Sequence, residues 1–198
     1  DGSPNASFIS LRQGKLQELP HANDEIEQVA ELLNGKSFLG QGADVKTFLQ
    51  EAPKGRIIHL ANHSILQDSE PLKSRLVFGQ NEDTETLTLA EIYNLELTAD
   101  LIVLSSCETG IGKIAKGEGI MSISRAFFYA GSQSAIITLW EVEDRASKDV
   151  LYLFFKQLKE GKTKYQALQD AKMEYMTYVG ESELAHPFFW APFVLVGD

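Results

Sequence analysis

Residues 101–112 have the sequence LIVLSSCETGIG and carry the strongest structural signal in the chain. The four branched apolar residues at 101–104 predict a short strand buried on both faces, as in the middle of a parallel sheet. Small, polar and glycine residues follow, and among them is Cys107, the only cysteine of the protein. In open α/β sheets, ligands and reacting groups lie just beyond the carboxyl ends of the strands. Cys107 therefore stands where a nucleophile is expected.

A second stretch, RIIHLANHS at residues 56–64, has a histidine in a comparable position. Its apolar residues predict another buried strand that ends shortly before His63. Two parallel strands of one sheet would bring His63 and Cys107 to the same edge. A cysteine needs a base or a positively charged neighbour to form a thiolate at neutral pH, so the two residues are a candidate cysteine–histidine dyad. The alternative is that Cys107 is a small buried apolar residue without a chemical role.

Strand and helix patterns alternate along the rest of the chain. Helices are predicted at residues 24–33, 43–50, 89–94, 118–130, 144–160 and 164–176, and strands at 37–39, 74–78, 135–139 and 193–196. Residues 1–20 are predicted to be an irregular lead-in, and residues 79–84 and 109–119 to be mobile loops. The alternation predicts one domain with an α/β fold, a three-layer sandwich with a mostly parallel central sheet between two layers of helices.

The composition is that of an ordinary globular domain and excludes several classes of partner. The chain has 198 residues, of which 43% are hydrophobic and 23% are charged. With 18 basic and 28 acidic residues its net charge is −10, and such a surface repels nucleic acid. No apolar run approaches the ~20 residues that span a bilayer, so no membrane is expected as a partner. A single cysteine excludes an internal disulfide and predicts a reducing compartment, the cytoplasm.

His59 stands four residues before His63, and the two form an H-x-x-x-H pair. On a helix this spacing suggests zinc. Here the segment has a strand pattern and no third ligand stands near it, so no metal or other cofactor is predicted. His59 lies one two-residue repeat deeper in the predicted strand and is therefore expected to be a buried core residue.

Four blocks of the sequence resemble motifs of the CHAT family, caspase-like domains that usually follow tetratricopeptide repeats. The blocks read HLANHS, LIVLSSCETGIGKIAKGEG, ISRAFFYAGSQSAIITLWEVEDRAS and HPFFWAPFVLVGD. The resemblance covers nearly all of the chain after residue 14, and it implies a single caspase-like domain over residues 1–198 that lacks the first strands of the family. In one departure, Ser64 replaces the glycine that usually follows the family's histidine.

The resemblance implies a cysteine endopeptidase that acts on a protein or peptide substrate and is regulated by an attached repeat region or partner protein. His63 would take the proton of Cys107, and the thiolate would attack a peptide carbonyl. The N–H groups of Cys107 and Ser64 would bind the resulting oxyanion. The other interpretation is a non-catalytic interaction or scaffold module with the same fold, in a signalling protein.

Acidic residues after the strand predicted at 135–139 are candidates for substrate binding. Caspase-like proteases often hold a basic P1 residue in an acidic pocket or an acidic P1 residue in a basic pocket. If the pocket here is acidic, Asp144 and Glu141 are its best candidates. Glu143 and Glu108 are further candidates. The alternative is that Asp144 caps the following helix and the glutamates face water.

Overall fold

A computed structural model of the protein describes residues 21–67, 69–78, 85–105 and 121–197 in full, and residues 6–10 and 118–120 by their backbone. Cys107 and Glu108 lie outside the described residues. So do the two segments predicted to be mobile, apart from residues 118 and 119.

Helices and strands alternate over the described ranges, with short 3₁₀ turns between some of them. The order is β1 (Ala6–Ser10), α1 (Ala22–Leu33), β2 (Lys36–Phe38), α2 (Val45–Glu51), β3 (Ile57–Ala61), β4 (Ser64–Ile65), β5 (Arg75–Val77), β6 (Thr86–Thr88), α3 (Leu89–Ile92), β7 (Leu101–Leu104), α4 (Glu118–Tyr129), β8 (Ser134–Thr138), α5 (Asp144–Lys159), α6 (Lys164–Val179), α7 (Pro187–Trp190) and β9 (Phe193–Gly197). Among these helices, none is long and apolar enough to cross a membrane.

Six strands form the central sheet in the order β2-β1-β3-β7-β8-β9. The first five run parallel, and β9 runs antiparallel to β8. A second sheet, β4-β5-β6, is antiparallel and adjoins the end of β3. The register pairs Leu60 of β3 with Leu104 of β7, so these two strands end at the same edge. The predicted mostly parallel sheet is confirmed.

Alternate side chains of the sheet pack against two different layers of helices. Ile57 and Ala61 of β3 lie in a core cluster with α1, α5 and α6. Ile58 and Leu60 lie in a second cluster with α2, α3 and α4 on the other face. The strand is apolar except at His59 because both of its faces are buried. This confirms the three-layer sandwich.

Residues 6–10 are a correction to the sequence analysis, which predicted an irregular lead-in over residues 1–20. They form β1, which pairs in parallel with β2 on one side and with β3 on the other. The segment ASFIS holds few strong strand formers, so its local signal is weak. Backbone hydrogen bonds to two neighbouring strands, both distant in sequence, outweigh the local preference.

Candidate active site

The two chain segments that carry the candidate dyad leave the sheet side by side. β3 ends at Ala61, two residues before His63, and β7 ends at Leu104, three residues before Cys107. The strands are hydrogen-bonded neighbours, and such strands lie about 4.8 Å apart. Cys107 lies outside the described residues, so it remains a prediction that its side chain faces His63.

The small antiparallel sheet holds the backbone that carries His63. The carbonyl of His63 accepts a hydrogen bond of 2.9 Å from the N–H of Val77 in β5. Asn62 is fully buried, and its Nδ2 donates to the carbonyl of Val77 over 3.2 Å. The His63 side chain is only 8% exposed. The pairing of β3 before His63 and of β4 after it therefore sets the backbone position of this histidine.

Ser64, where the family usually has glycine, is buried and is the first residue of β4, opposite Leu76. Among the described non-glycine residues, Asn34 alone has a positive φ. Ser64 therefore adopts a backbone conformation that any residue tolerates, and the departure from the family pattern introduces no left-handed strain.

Three polar side chains lie close together near this edge of the sheet, and we name them the Glu25 cluster (Glu25 and His59, which are buried, and Ser105, which is half-buried). The carboxylate of Glu25 is 2.7 Å from His59 Nε2. The Ser105 hydroxyl donates to the same Glu25 oxygen over 2.8 Å and lies 3.2 Å from His59 Nε2. The side chains of Glu25 and His59 are 2% and 0% exposed. The prediction that His59 is a buried core residue is confirmed, whereas its carboxylate partner was not predicted.

The Glu25 cluster joins three elements at the candidate site. Glu25 lies in the first turn of α1, His59 is in β3 and Ser105 directly follows β7. Phe155 of α5 covers the histidine, with the ring centroids 5.5 Å apart. A buried carboxylate is stable only when its hydrogen-bond partners are in place, so the cluster fixes the ends of β3 and β7 relative to α1. Among the described residues, no group of three metal-binding side chains converges to form a metal site.

The acidic candidates after β8 differ in their surroundings. Exposed Glu143 caps α5 by accepting a 2.9 Å hydrogen bond from the N–H of Ala146, so the cap is Glu143 and not Asp144. Asp144 is half-buried and accepts a 2.5 Å hydrogen bond from the N–H of His21, just before α1. Burial raises the pKa of Asp144, and the His21 hydrogen bond partly opposes this effect. Glu141 is exposed to water.

An aromatic pair stands beside these acids, where the chain leaves β8. Trp140 is 39% exposed and Phe188 is 48% exposed, and their rings are stacked with centroids 6.2 Å apart. The indole N–H of Trp140 donates to the carbonyl of Phe188 over 2.9 Å. The pair is an exposed apolar surface at the same edge of the sheet as the end of β7.

The strand order, the helical layers and the position of the dyad segments define a caspase-like α/β domain. The Arg-specific cysteine proteinase gingipain R superposes with a TM-score of 0.67 at 11% identity, covering 98% of this chain and 46% of that one. A secreted C11 cysteine protease from Bacteroides thetaiotaomicron superposes with a TM-score of 0.52 at 8% identity, covering 92% of this chain and 62% of that one. At such low identities the likeness shows the fold.

The chain belongs to the CHAT domain family, whose sequence model matches residues 2–198. Tetratricopeptide repeat protein 28 of Homo sapiens is 28% identical over 100% of this chain, and that of Mus musculus is 27% identical. The chain spans 9% of the length of each of these relatives. The resemblance to CHAT domains is thereby confirmed, and both relatives are named for tetratricopeptide repeats.

Proposed function

We propose that this domain is a cysteine endopeptidase in which Cys107 is the nucleophile and His63 is the general base. The observation that carries the proposal is the parallel pairing of β3 and β7, whose carboxyl ends precede the two residues at one edge. Two solved structures that share the fold are named as cysteine proteases, which supports the same interpretation. The buried backbone around His63 and the Glu25 cluster supply the rigid frame that such chemistry needs.

In the proposed reaction, His63 takes the proton of the Cys107 thiol as the sulfur bonds to the carbonyl carbon of the scissile peptide. The N–H groups of Cys107 and Ser64 hold the oxyanion. The C–N bond then breaks, and the leaving amine takes the proton from His63. Water, deprotonated by His63, attacks the thioester carbon. The C–S bond then breaks and releases the new carboxylic acid, and the Cys107 thiolate takes the proton back from His63.

The proposed substrate is an extended protein or peptide segment bound along this edge. Asp144 and Glu141 are proposed to recognise a P1 lysine or arginine through a charge-assisted pair. The aromatic pair of Trp140 and Phe188 offers an adjacent apolar surface to the peptide. We further propose that a tetratricopeptide repeat region, attached or in a partner protein, regulates the enzyme and that it acts in the cytoplasm.

Labelling with a peptide chloromethyl ketone that carries P1 lysine tests the proposal. At pH 6.5, well below the ~8.5 pKa of a free thiol, Cys107 in the folded protein should react at least tenfold faster than in urea-unfolded protein. Peptide mapping identifies the modified residue, and the Cys107→Ala variant is the blank. A folded protein that reacts more slowly than the unfolded chain would contradict the proposal and favour the non-catalytic scaffold.

Asp144→Asn is expected to slow labelling by the P1-lysine probe by about tenfold, because a charge-assisted hydrogen bond contributes about 1.5–3 kcal/mol. Labelling by iodoacetamide should not change. Because burial raises the pKa of Asp144, the fold favours the protonated carboxyl group. Its contribution to the free energy of unfolding is therefore present below the ordinary pKa and is lost as pH rises through the pKa in the folded protein. The asparagine variant should therefore remain folded at neutral pH.

Asp149→Asn is the matched control, since burial also raises the pKa of this half-buried aspartate on α5. If the two variants lose labelling rate equally, or if Asp144→Asn slows labelling by both the P1-lysine probe and iodoacetamide, Asp144 has a structural role only.

A further inference from the structure

A cavity of about 760 Å³ lies at the opposite edge of the central sheet from the candidate dyad. It forms where β3 and β7 begin, where β9 ends, and where the chain passes from α5 to α6. Its apolar wall consists of Ile57, Leu101, Leu158, Leu195 and the ring of Tyr165. Cavities of this size are typical of small-molecule sites, which combine an apolar wall with a few polar groups. We name it the amino-edge cavity.

Lys164 is the polar group that distinguishes this cavity. It is half-buried, and its Nζ donates to the carbonyl of Asp100 over 3.1 Å and to the hydroxyl of Ser134 over 2.9 Å. Both acceptors are uncharged, and an ammonium has three N–H donors. In the described part of the chain, no carboxylate forms an ion pair with Lys164, so its charge is not neutralised there.

The other charged residues that line the cavity, among those the structure describes, are paired within the fold. Lys162 forms an ion pair of 2.7 Å with Asp170. Asp100 accepts two hydrogen bonds of 2.7 Å from the guanidinium of Arg56. Among the described residues that line the cavity, Lys164 is therefore the charged group that no opposite charge compensates, in a protein whose overall charge is −10. The residue also begins α6, a helix of 16 residues, and the positive end of the helix dipole adds to this potential.

We propose that the amino-edge cavity binds a small aliphatic carboxylate, with the carboxylate on Lys164 and the apolar body against Leu158, Leu195 and Tyr165. A cationic ligand would be repelled by the ammonium. A neutral apolar ligand would cover the ammonium without pairing it, which carries a desolvation penalty. A ligand with a carboxylate and an apolar body pairs with the Lys164 ammonium and also packs against the apolar wall. The proposal holds whether or not Cys107 is catalytic.

Titration of the ¹⁵N-labelled chain with octanoate, followed by amide NMR shifts, tests the proposal. Saturable shifts are expected at residues 100–101, 133, 162–165, 195 and 197, which border the cavity. Octanoate should bind at least tenfold more tightly than 1-octanol or octylammonium, which have the same chain length without the negative charge. Dispersed or non-saturating shifts, or equal affinities for the three compounds, would overturn the proposal.

Lys164→Met should reduce octanoate affinity about tenfold, to the level of octanol, and Lys164→Arg should retain most of it. Lys172→Met is the matched control, because this half-buried lysine donates to the carbonyl of Phe193 outside the cavity. Gln133→Trp, at an exposed position on the rim, should block binding by its bulk and tests the site even if Lys164→Met does not fold. An equal loss in Lys172→Met, or undiminished binding in Gln133→Trp, would contradict the site.

Discussion

Replacing Glu25 by alanine is expected to lower the free energy of unfolding by about 2–5 kcal/mol, because it removes the carboxylate that His59 and Ser105 share, and each buried polar group left unsatisfied costs about 1–3 kcal/mol. His59 would then lie fully buried without the carboxylate that is now 2.7 Å away. Ser105 would lose its acceptor at the same time. Urea unfolding at neutral pH, followed by circular dichroism, measures the change.

Glu70→Ala is the control for this effect. Glu70 and Lys73 also form an ion pair of 2.7 Å, but their side chains are 56% and 62% exposed. Because water and salt screen an exposed pair, this variant should lose less than about 1 kcal/mol. Similar losses of unfolding free energy in the two variants would mean that burial of the Glu25 cluster does not determine how much the cluster stabilises the protein. In a double-mutant cycle, Glu25→Ala and His59→Ala should be non-additive by at least about 1 kcal/mol, since the two side chains are in contact.

Cys107→Ala is expected to abolish hydrolysis of a P1-lysine peptide, and His63→Ala to reduce kcat/KM by about 10³-fold or more. The first change removes the nucleophile, and the second removes the group that takes and returns the proton. A fluorogenic peptide measures turnover, and circular dichroism confirms that each variant is folded.

His186→Ala serves as the matched histidine control and should retain kcat, so that any loss falls on KM, because His186 lies beside the aromatic pair that is proposed to contact the peptide. Its Nδ1 accepts a 3.2 Å hydrogen bond from the N–H of Phe188 at the start of the short helix α7, outside the proposed dyad. If His63→Ala keeps more than about a tenth of the activity, His63 is not the general base.

The parts of the fold that were predictable from the sequence are those set by local patterns. Apolar runs indicated β3 and β7, because strands buried on both faces are made mostly of apolar residues, with His59 the exception in β3. A threonine followed three residues later by a glutamate is a capping-box pattern, and Thr88 and Glu91 form this box at the start of α3. The prediction that β3 and β7 end at the same edge of the sheet required only that the two strands run parallel.

The remaining features depend on contacts between distant parts of the chain. Ser105 and Glu25 are 80 residues apart, and in the sequence Glu25 looks like any acidic residue in the first turn of a helix. The amino-edge cavity depends on β9 returning beside β8, which brings Gly197 opposite Ser134. The helix cap falls on Glu143 and not Asp144 because two adjacent acids can each begin the helix, and only the backbone geometry selects between them.

The hydrogen bonds of the tryptophans have a practical consequence. The protein has two tryptophans, and both donate their indole N–H to backbone carbonyls of the segment around α7, Trp140 to Phe188 over 2.9 Å and Trp190 to Ala185 over 3.0 Å. All of the intrinsic tryptophan fluorescence therefore comes from the edge of the sheet where β8 ends and β9 begins. A peptide that displaces water from Trp140 should shift this emission to shorter wavelength, whereas octanoate at the opposite edge should not. The unlabelled protein thus carries an optical reporter that distinguishes its two proposed binding sites.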